Sequence, residues 1–277
     1  MNNLYNTYRA AVRRLGAAGA EFPEFDAQQL VEYCLGFNKT QLLLNSQQPV
    51  DEYKLIFFEE CLARREKREP LQYILGMWGF HKFQFKTKSG VLIPRPETEL
   101  LVDYVVKDLL KDKNGANVLD VCTGSGAIAI AVAKNCDAKV TASDISSSAV
   151  EVAKANAINA GAKVDFKTGD LFEKIDGQFD VITINPPYIK TSVIDTLDKK
   201  VKDFEPKTAL DGGVDGLDFY KRIRNEFEKY LSENGTLVME IGFDQADDIK
   251  GIFADFNVEI KKDFDGNDRI AVVTRKI

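Results

Sequence analysis

Two hydrophobic periods divide the chain. Over residues 1–75 apolar side chains return at helical spacing. "NTYRAAVRRLGAAG" closes on glycines, and "FDAQQLVEYCLG" sets Ala27, Leu30, Val31, Cys34 and Leu35 on one face, with Asp26 as its expected N-cap and Gly36 as its end. "DEYKLIFFEECLARREKREP" is predicted to start at Asp51 and to finish in Arg64, Arg65, Lys67 and Arg68. Those basic residues either suit the negative end of the helix dipole or offer a docking edge to an acidic or RNA-bound partner. From Leu71 to Pro94 the pattern changes to short alternating pieces, where Phe80, Phe83 and Phe85 indicate a hairpin or an extended connector. The expected divisions are therefore a helical domain over 1–75, a connector over 76–94 and a larger domain over 95–277.

In that larger domain, after the helix "RPETELLVDYVVKDLLKD", strands and helices alternate. The strands are "ANVLDVC", "KVTASD", "KVDFKTGD", "FDVITI" and "GTLVMEIG"; between them lie "SGAIAIAVAKN", "SSSAVEVAKANAINAG" and "LDFYKRIRNEFEKYL". Alternation of this kind predicts an α/β fold with a parallel sheet covered on both faces. The final runs flank the turn "DGND", so the last strand is expected to return antiparallel.

Composition narrows the function classes. The formal net charge is -6 over 277 residues, which argues against a long basic face for duplex nucleic acid. Cys34, Cys61, Cys122 and Cys136 form no C-x-x-C pair, so reduced thiols are expected rather than a zinc site. His81 stands alone and reads as a surface residue. No run of eighteen apolar residues occurs. A soluble cytoplasmic monomer without a membrane partner is the expectation.

Three stretches carry chemistry. "VLDVCTGSGAIAIA" is a strand, a glycine-rich turn and a helix start, a place where a ligand can reach the backbone. Gly124-x-Gly126-x-x-Ala129 with Asp144 at the end of the next strand fits a dinucleotide, but Asp120 before the turn and the lack of a hydride-transfer constellation favour a sulfonium ligand such as S-adenosylmethionine. "KTGDLF" brings Asp170 and Leu171, a polar partner and an apolar bed for an adenine ring. "INPPYIK" ends a buried strand in residues that cannot continue a sheet. Asn185 Oδ1 and the Pro186 carbonyl can accept two N–H bonds from a planar nitrogen, Pro187 stiffens the loop, and Tyr188 can stack on the planar group.

The blocks "DAQQLVEYCLG", "REPLQYILG", "VLIPRPETELLV", "TGSGAIAIAVA", "SDIS", "GDLF", "NPPYI", "FEPKTALDGGVDGLDFY" and "MEIG" together resemble the PrmC/HemK methyltransferases. The resemblance implies a seven-stranded Rossmann-like methyltransferase domain behind a helical substrate-recognition domain. It implies S-adenosylmethionine as donor and, as acceptor, the glutamine amide of the Gly-Gly-Gln loop of peptide-chain release factors, with nucleic acid engaged only indirectly. Carried over, Cys122, Thr123, Gly124, Ser125, Gly126, Asp144, Asp170, Leu171 and Asn185 surround the donor, and Asn185, Pro186, Pro187 and Tyr188 hold the acceptor. Cys122 stands where the family usually has the first glycine of the turn. "PRPETE", with Arg95 and Glu97, is expected at the mouth of the cleft, and "FEPKTAL" as a lid. An amino-group methyltransferase of RNA or DNA and a non-catalytic donor-binding module remain the alternatives.

Overall fold

The computed structural model describes residues 3–276. The terminal residues 1, 2 and 277 of the expected divisions lie outside that range. By contacts the chain forms two compact units, one comprising the residues up to Gly76 with Lys199–Phe204, the other Met77–Asp198 with Glu205 onward. No helix among the described residues is long and apolar enough to cross a membrane.

The first unit is helical: α1 (Leu4–Ala17), α2 (Pro23–Leu30, continuing as a wide π turn over Val31–Leu35), α3 (Lys39–Leu44), α4 (Glu52–Glu66) and α5 (Leu71–Leu75). Asp51 caps α4 by accepting from Lys54 N. Asp26 does not cap α2. Pro23 starts the helix three residues earlier, and the buried Asp26 carboxylate instead accepts from Arg65 Nε at 2.7 Å. Proline suits the first helical position because its missing N–H would have no partner there. Arg65 is thus taken up internally at the end of α4, while the exposed Arg64 pairs with Glu69. Leu71–Leu75 is a helical turn rather than an alternating piece, opened by Pro70 and ended by Gly76 at φ 71°.

The second unit opens with a hairpin, β1 (Met77–Phe80) and β2 (Phe83–Lys86), so residues 77–94 pack with the sheet-bearing unit. His81 in its turn is not a surface residue: Nε2 lies 3.2 Å from Asp103, and Nδ1 is buried without a partner. Then come α6 (Thr98–Tyr104, ending in a π turn), β3 (Ala116–Val121), α7 (Ala127–Asn135), β4 (Ala138–Asp144), α8 (Ser147–Ala160), β5 (Val164–Thr168) and β6 (Phe179–Ile184). The short helix α9 (Thr191–Ile194) follows, and the chain passes through α10 (Lys199–Lys202), which counts with the first unit. The second unit ends in α11 (Asp218–Glu226), β7 (Leu231–Glu240), α12 (Ala246–Ile252), β8 (Phe256–Lys262) and β9 (Asp268–Arg275).

Seven strands form one sheet in the order β5-β4-β3-β6-β7-β9-β8, with β9 antiparallel to both its neighbours. The interior strand β3 is buried along nearly its whole length, and the first six residues of α7, Ala127 to Val132, are all buried, as close helix-on-sheet packing demands. The chain order reverses between β3 and β6. Ligands of open α/β sheets bind at the carboxyl ends of the strands beside such a reversal. Register brings the two motifs together: Val121 lies opposite Ile184, so Cys122 and Asn185 leave the sheet side by side.

Candidate active site

The glycine turn is held from below and open above. Cys122, Gly124 and Gly126 adopt φ of 59°, 55° and 81°, the left-handed region that favours glycine. A Cβ on Gly126 would stand 2.9 Å from Ile130 Cδ1 and 3.0 Å from Ala153 Cβ, whereas one on Gly124 would meet nothing within 4 Å. Gly126 is thus needed for packing, and Gly124 leaves the backbone open to a ligand. Cys122 fills a left-handed position at a cost of about 1–2 kcal/mol, which the glycine expected there would not incur.

Thr123 and Ser125 are buried beneath the turn. Thr123 Oγ1 donates to one Asp120 oxygen and Thr183 Oγ1 to the other, the latter at 2.8 Å. Asn156 of α8 donates to the Ser125 carbonyl at 2.9 Å and accepts from Lys86 N at 2.6 Å, tying the turn to the hairpin.

Burial pushes the Asp120 carboxyl up to about 7, against the hydrogen bonds from Thr123 and Thr183 that hold it down. With its folded value raised, Asp120 retains its proton on folding where the unfolded chain has lost it. Stability from this group is present below about pH 4 and is lost as pH rises to about 7. Asp120→Asn carries no charge to bury. Urea unfolding at about pH 4 and about pH 7.5 is expected to show a steeper loss for the parent chain than for Asp120→Asn. Equal slopes would contradict this reading of Asp120.

Asp144 braces the turn from the side, accepting from Gly124 N at 2.8 Å and from Ser146 N at 2.9 Å. Burial pushes its carboxyl up, partly offset by these two donors. Asp170 pairs with Arg222 at 2.7 Å, and Leu171 is buried, its carbonyl accepting from Ser143 Oγ. Cys122, Gly124, Asp144, Asp170, Leu171 and Asn185 line one cleft of 540 Å³, together with Pro187 and the exposed Ile145. That volume lies within the range of about 300–1,000 Å³ for small-ligand sites. Pro206–Ala209, from the stretch expected as a lid, form part of its wall. Arg95 does not line the cleft. It donates to the buried Glu205, which also accepts from Ile93 N at 3.3 Å and so fixes the start of that wall.

The tetrapeptide 185–188 is locked by partners far away in sequence. Asn185 Nδ2 donates to Glu240 Oε2 at 3.0 Å and to Thr98 Oγ1 at 3.3 Å, and Tyr188 OH donates to Glu240 Oε1 at 3.1 Å. Among the described residues no donor reaches Asn185 Oδ1 or the Pro186 carbonyl. Tyr188 is half-buried behind the cleft wall rather than forming it. Burial and the neighbouring Glu240 push its phenol up, so it stays a donor. Gly212 packs directly on this loop: a Cβ there would lie 2.7 Å from Tyr188 Cα and 2.9 Å from the Pro187 carbonyl. Gln245 completes the clamp by donating to the Tyr188 carbonyl at 3.0 Å and to that of Gly216 at 3.1 Å.

Comparison with known proteins gives the chain a family. Residues 6–76 match the PrmC N-terminal domain and residues 85–202 the methyltransferase small domain. A release factor glutamine methyltransferase of Agrobacterium fabrum is 40% identical over 275 residues, 96% of this chain and 95% of that protein. The chain belongs to the release factor glutamine methyltransferase family. A member from Thermodesulfovibrio yellowstonii is 41% identical, with 90% of this chain and 92% of that protein covered. The solved methyltransferase of Pyrococcus furiosus shares the fold at 21% identity and a TM-score of 0.52, covering 68% of this chain and 86% of the other. S-adenosylmethionine is the donor of this family, and the open backbone at Gly124 with the acid of Asp144 beside it fits such a ligand. For a family member, the informative surprise is Glu240 and Asn156, which motif reading left without a role, and Thr98, which belongs to the "PRPETE" expected at the cleft mouth and bonds to both Glu240 and Asn185.

Proposed function

We propose that this chain methylates the side-chain amide nitrogen of the glutamine in the Gly-Gly-Gln motif of peptide-chain release factors. The observation that carries the reading is the fixed Asn185 amide, whose free Oδ1 shares a cleft with the open glycine turn. S-adenosylmethionine, when bound, supplies a methyl group activated by a sulfonium. Gly124, Asp144, Asp170 and Leu171 would hold it, Asp144 through hydroxyl groups and Leu171 through apolar contact.

The chain's own residues then act on the acceptor. An amide nitrogen is a poor nucleophile because its lone pair is delocalised. Asn185 Oδ1 and the Pro186 carbonyl accept its two N–H bonds, which orients the nitrogen, and the rigid proline pair keeps both acceptors in place. The proton released on transfer passes to water, so positioning rather than a general base lowers the barrier. Incubation with methyl-labelled donor and cell extract is expected to label a protein of release-factor mass. Label confined to RNA would contradict the reading.

The helical unit is the docking part of this proposal. Tyr33 and Phe57 lie with ring centroids 5.7 Å apart, and Tyr53 and Ile56 on the same side of α4 are 85% and 55% exposed. Exposed aromatic and aliphatic groups in one patch mark protein-binding surfaces. Replacing Tyr53 and Ile56 by Ser is expected to raise KM for the intact factor by about tenfold and to leave a short glutamine peptide unaffected. Equal kinetics on both substrates would place docking elsewhere.

A further inference from the structure

Glu240 closes β7 opposite Ile270 of β9 and is 2% exposed. Three side-chain donors converge on it: Thr98 Oγ1 at 2.6 Å and Asn185 Nδ2 at 3.0 Å on Oε2, and Tyr188 OH at 3.1 Å on Oε1. The Thr98 hydroxyl has one proton, and Glu240 takes it. Toward Asn185, Thr98 therefore offers only lone pairs. Both groups that face the inner end of the Asn185 amide are acceptors. A flipped amide would set Oδ1 against a carboxylate oxygen and a hydroxyl lone pair, a juxtaposition that no hydrogen bond relieves in a buried place.

We propose that Glu240, aided by Thr98, is a positioning residue that forces Asn185 to present Oδ1 and not Nδ2 to the acceptor. The inference rests on the proposed glutamine methylation and deepens it. A site whose amide cannot turn over selects a group carrying two N–H donors. It accepts a glutamine side chain and repels the glutamate carboxylate of the same shape, because two acceptor oxygens would meet at the cleft. Tyr188 is set by the same carboxylate, so one buried group fixes both polar side chains of the tetrapeptide.

Two substitutions separate positioning from bulk. In Glu240→Gln, the amide oxygen can occupy the Oε2 position and keep both Thr98 and Asn185, while its NH2 donates to the Tyr188 hydroxyl. In Glu240→Met, the volume remains but every acceptor is gone, and the Asn185 amide is free to turn. With saturating donor and release factor, kcat is expected to fall at least ~100-fold in Glu240→Met and less than about tenfold in Glu240→Gln, with donor affinity unchanged in both. Equal losses in the two variants, or a loss in Glu240→Met matched by lost donor affinity, would overturn the proposal. Side-chain amide NMR of the parent chain covers the case in which Glu240→Met does not fold. The Asn185 Nδ2 protons are expected to exchange slowly and to lie close to Thr98, and rapid exchange would overturn the assignment. That signal needs no substrate. A parent chain that shows it yet fails to methylate any release factor would refute the glutamine reading and leave the role of Glu240 in Asn185 orientation intact.

Discussion

Asn185→Ala is expected to lower kcat by about 100- to 1,000-fold while donor affinity stays within a few fold, because one oriented hydrogen bond at a reacting centre contributes about 2.7–4 kcal/mol of barrier. The Asn185 amide is tied at its inner end to Glu240 and Thr98, so the part lost from the cleft is Oδ1, the acceptor for the substrate nitrogen. Alanine also leaves the buried Glu240 with two donors in place of three, Thr98 and Tyr188. The fold should persist, since Thr98 and Tyr188 still satisfy both carboxylate oxygens. Single-turnover transfer measured beside calorimetric donor binding separates the two effects. Near-normal transfer would remove Asn185 from the acceptor role.

The second large effect falls on the donor side. Asp144→Ala is expected to weaken donor binding by about 3 kcal/mol, roughly two decades in Kd, since charge-assisted hydrogen bonds to ligand hydroxyls contribute about 1.5–3 kcal/mol each. Asp144 also accepts from the backbone of Gly124 and Ser146, so its loss loosens the turn as well as removing a ligand contact. Asp144→Asn keeps one acceptor oxygen and should fall between parent and Ala. Calorimetric titration reads all three chains. Unchanged affinity in Asp144→Ala would revive a different ligand for this turn.

Sequence and structure meet most closely where chemistry is local. The alternation of "ANVLDVC", "KVTASD" and "FDVITI" with alanine-rich helices announced a doubly wound sheet, and the glycine turn and "NPPY", whose residues are costly in ordinary strands and loops, lie side by side at one cleft. The glycine that the family pattern led one to expect at Cys122 would suit the left-handed backbone found there, which Cys122 adopts at a cost. What stayed hidden is whatever depends on register across the sheet. Glu240 reaches Asn185 only because β7 pairs with β6, and Thr98 arrives from a helix 142 residues before Glu240. Glu205 pairs with Arg95 across 110 residues, so neither motif alone reveals that they meet.

Periodicity fell short in a different way within the helical unit. A helical repeat shows that one face is apolar but not whether that face ends buried. Leu30, Val31, Cys34 and Leu35 do pack inside, as their spacing implied. Tyr33, Tyr53 and Ile56 look no different in sequence and end exposed. The basic run at the end of α4 left a helix end and a docking edge both open, and spacing alone did not show that Arg65 is buried against Asp26 while Arg64 stays exposed and pairs with Glu69. Asp26 was read as a cap for the same reason: local spacing suggested a helix end, and a partner 39 residues away claimed the carboxylate.

The central claim is tested most directly by peptide mass spectrometry of a release factor incubated with this chain and S-adenosylmethionine, beside a factor in which the glutamine of Gly-Gly-Gln is replaced by glutamate. One added methyl group on the side-chain amide of that glutamine, and none on the glutamate factor, is the expected result. A methyl group on any other residue, or an unmodified factor in the presence of bound donor, would contradict the account.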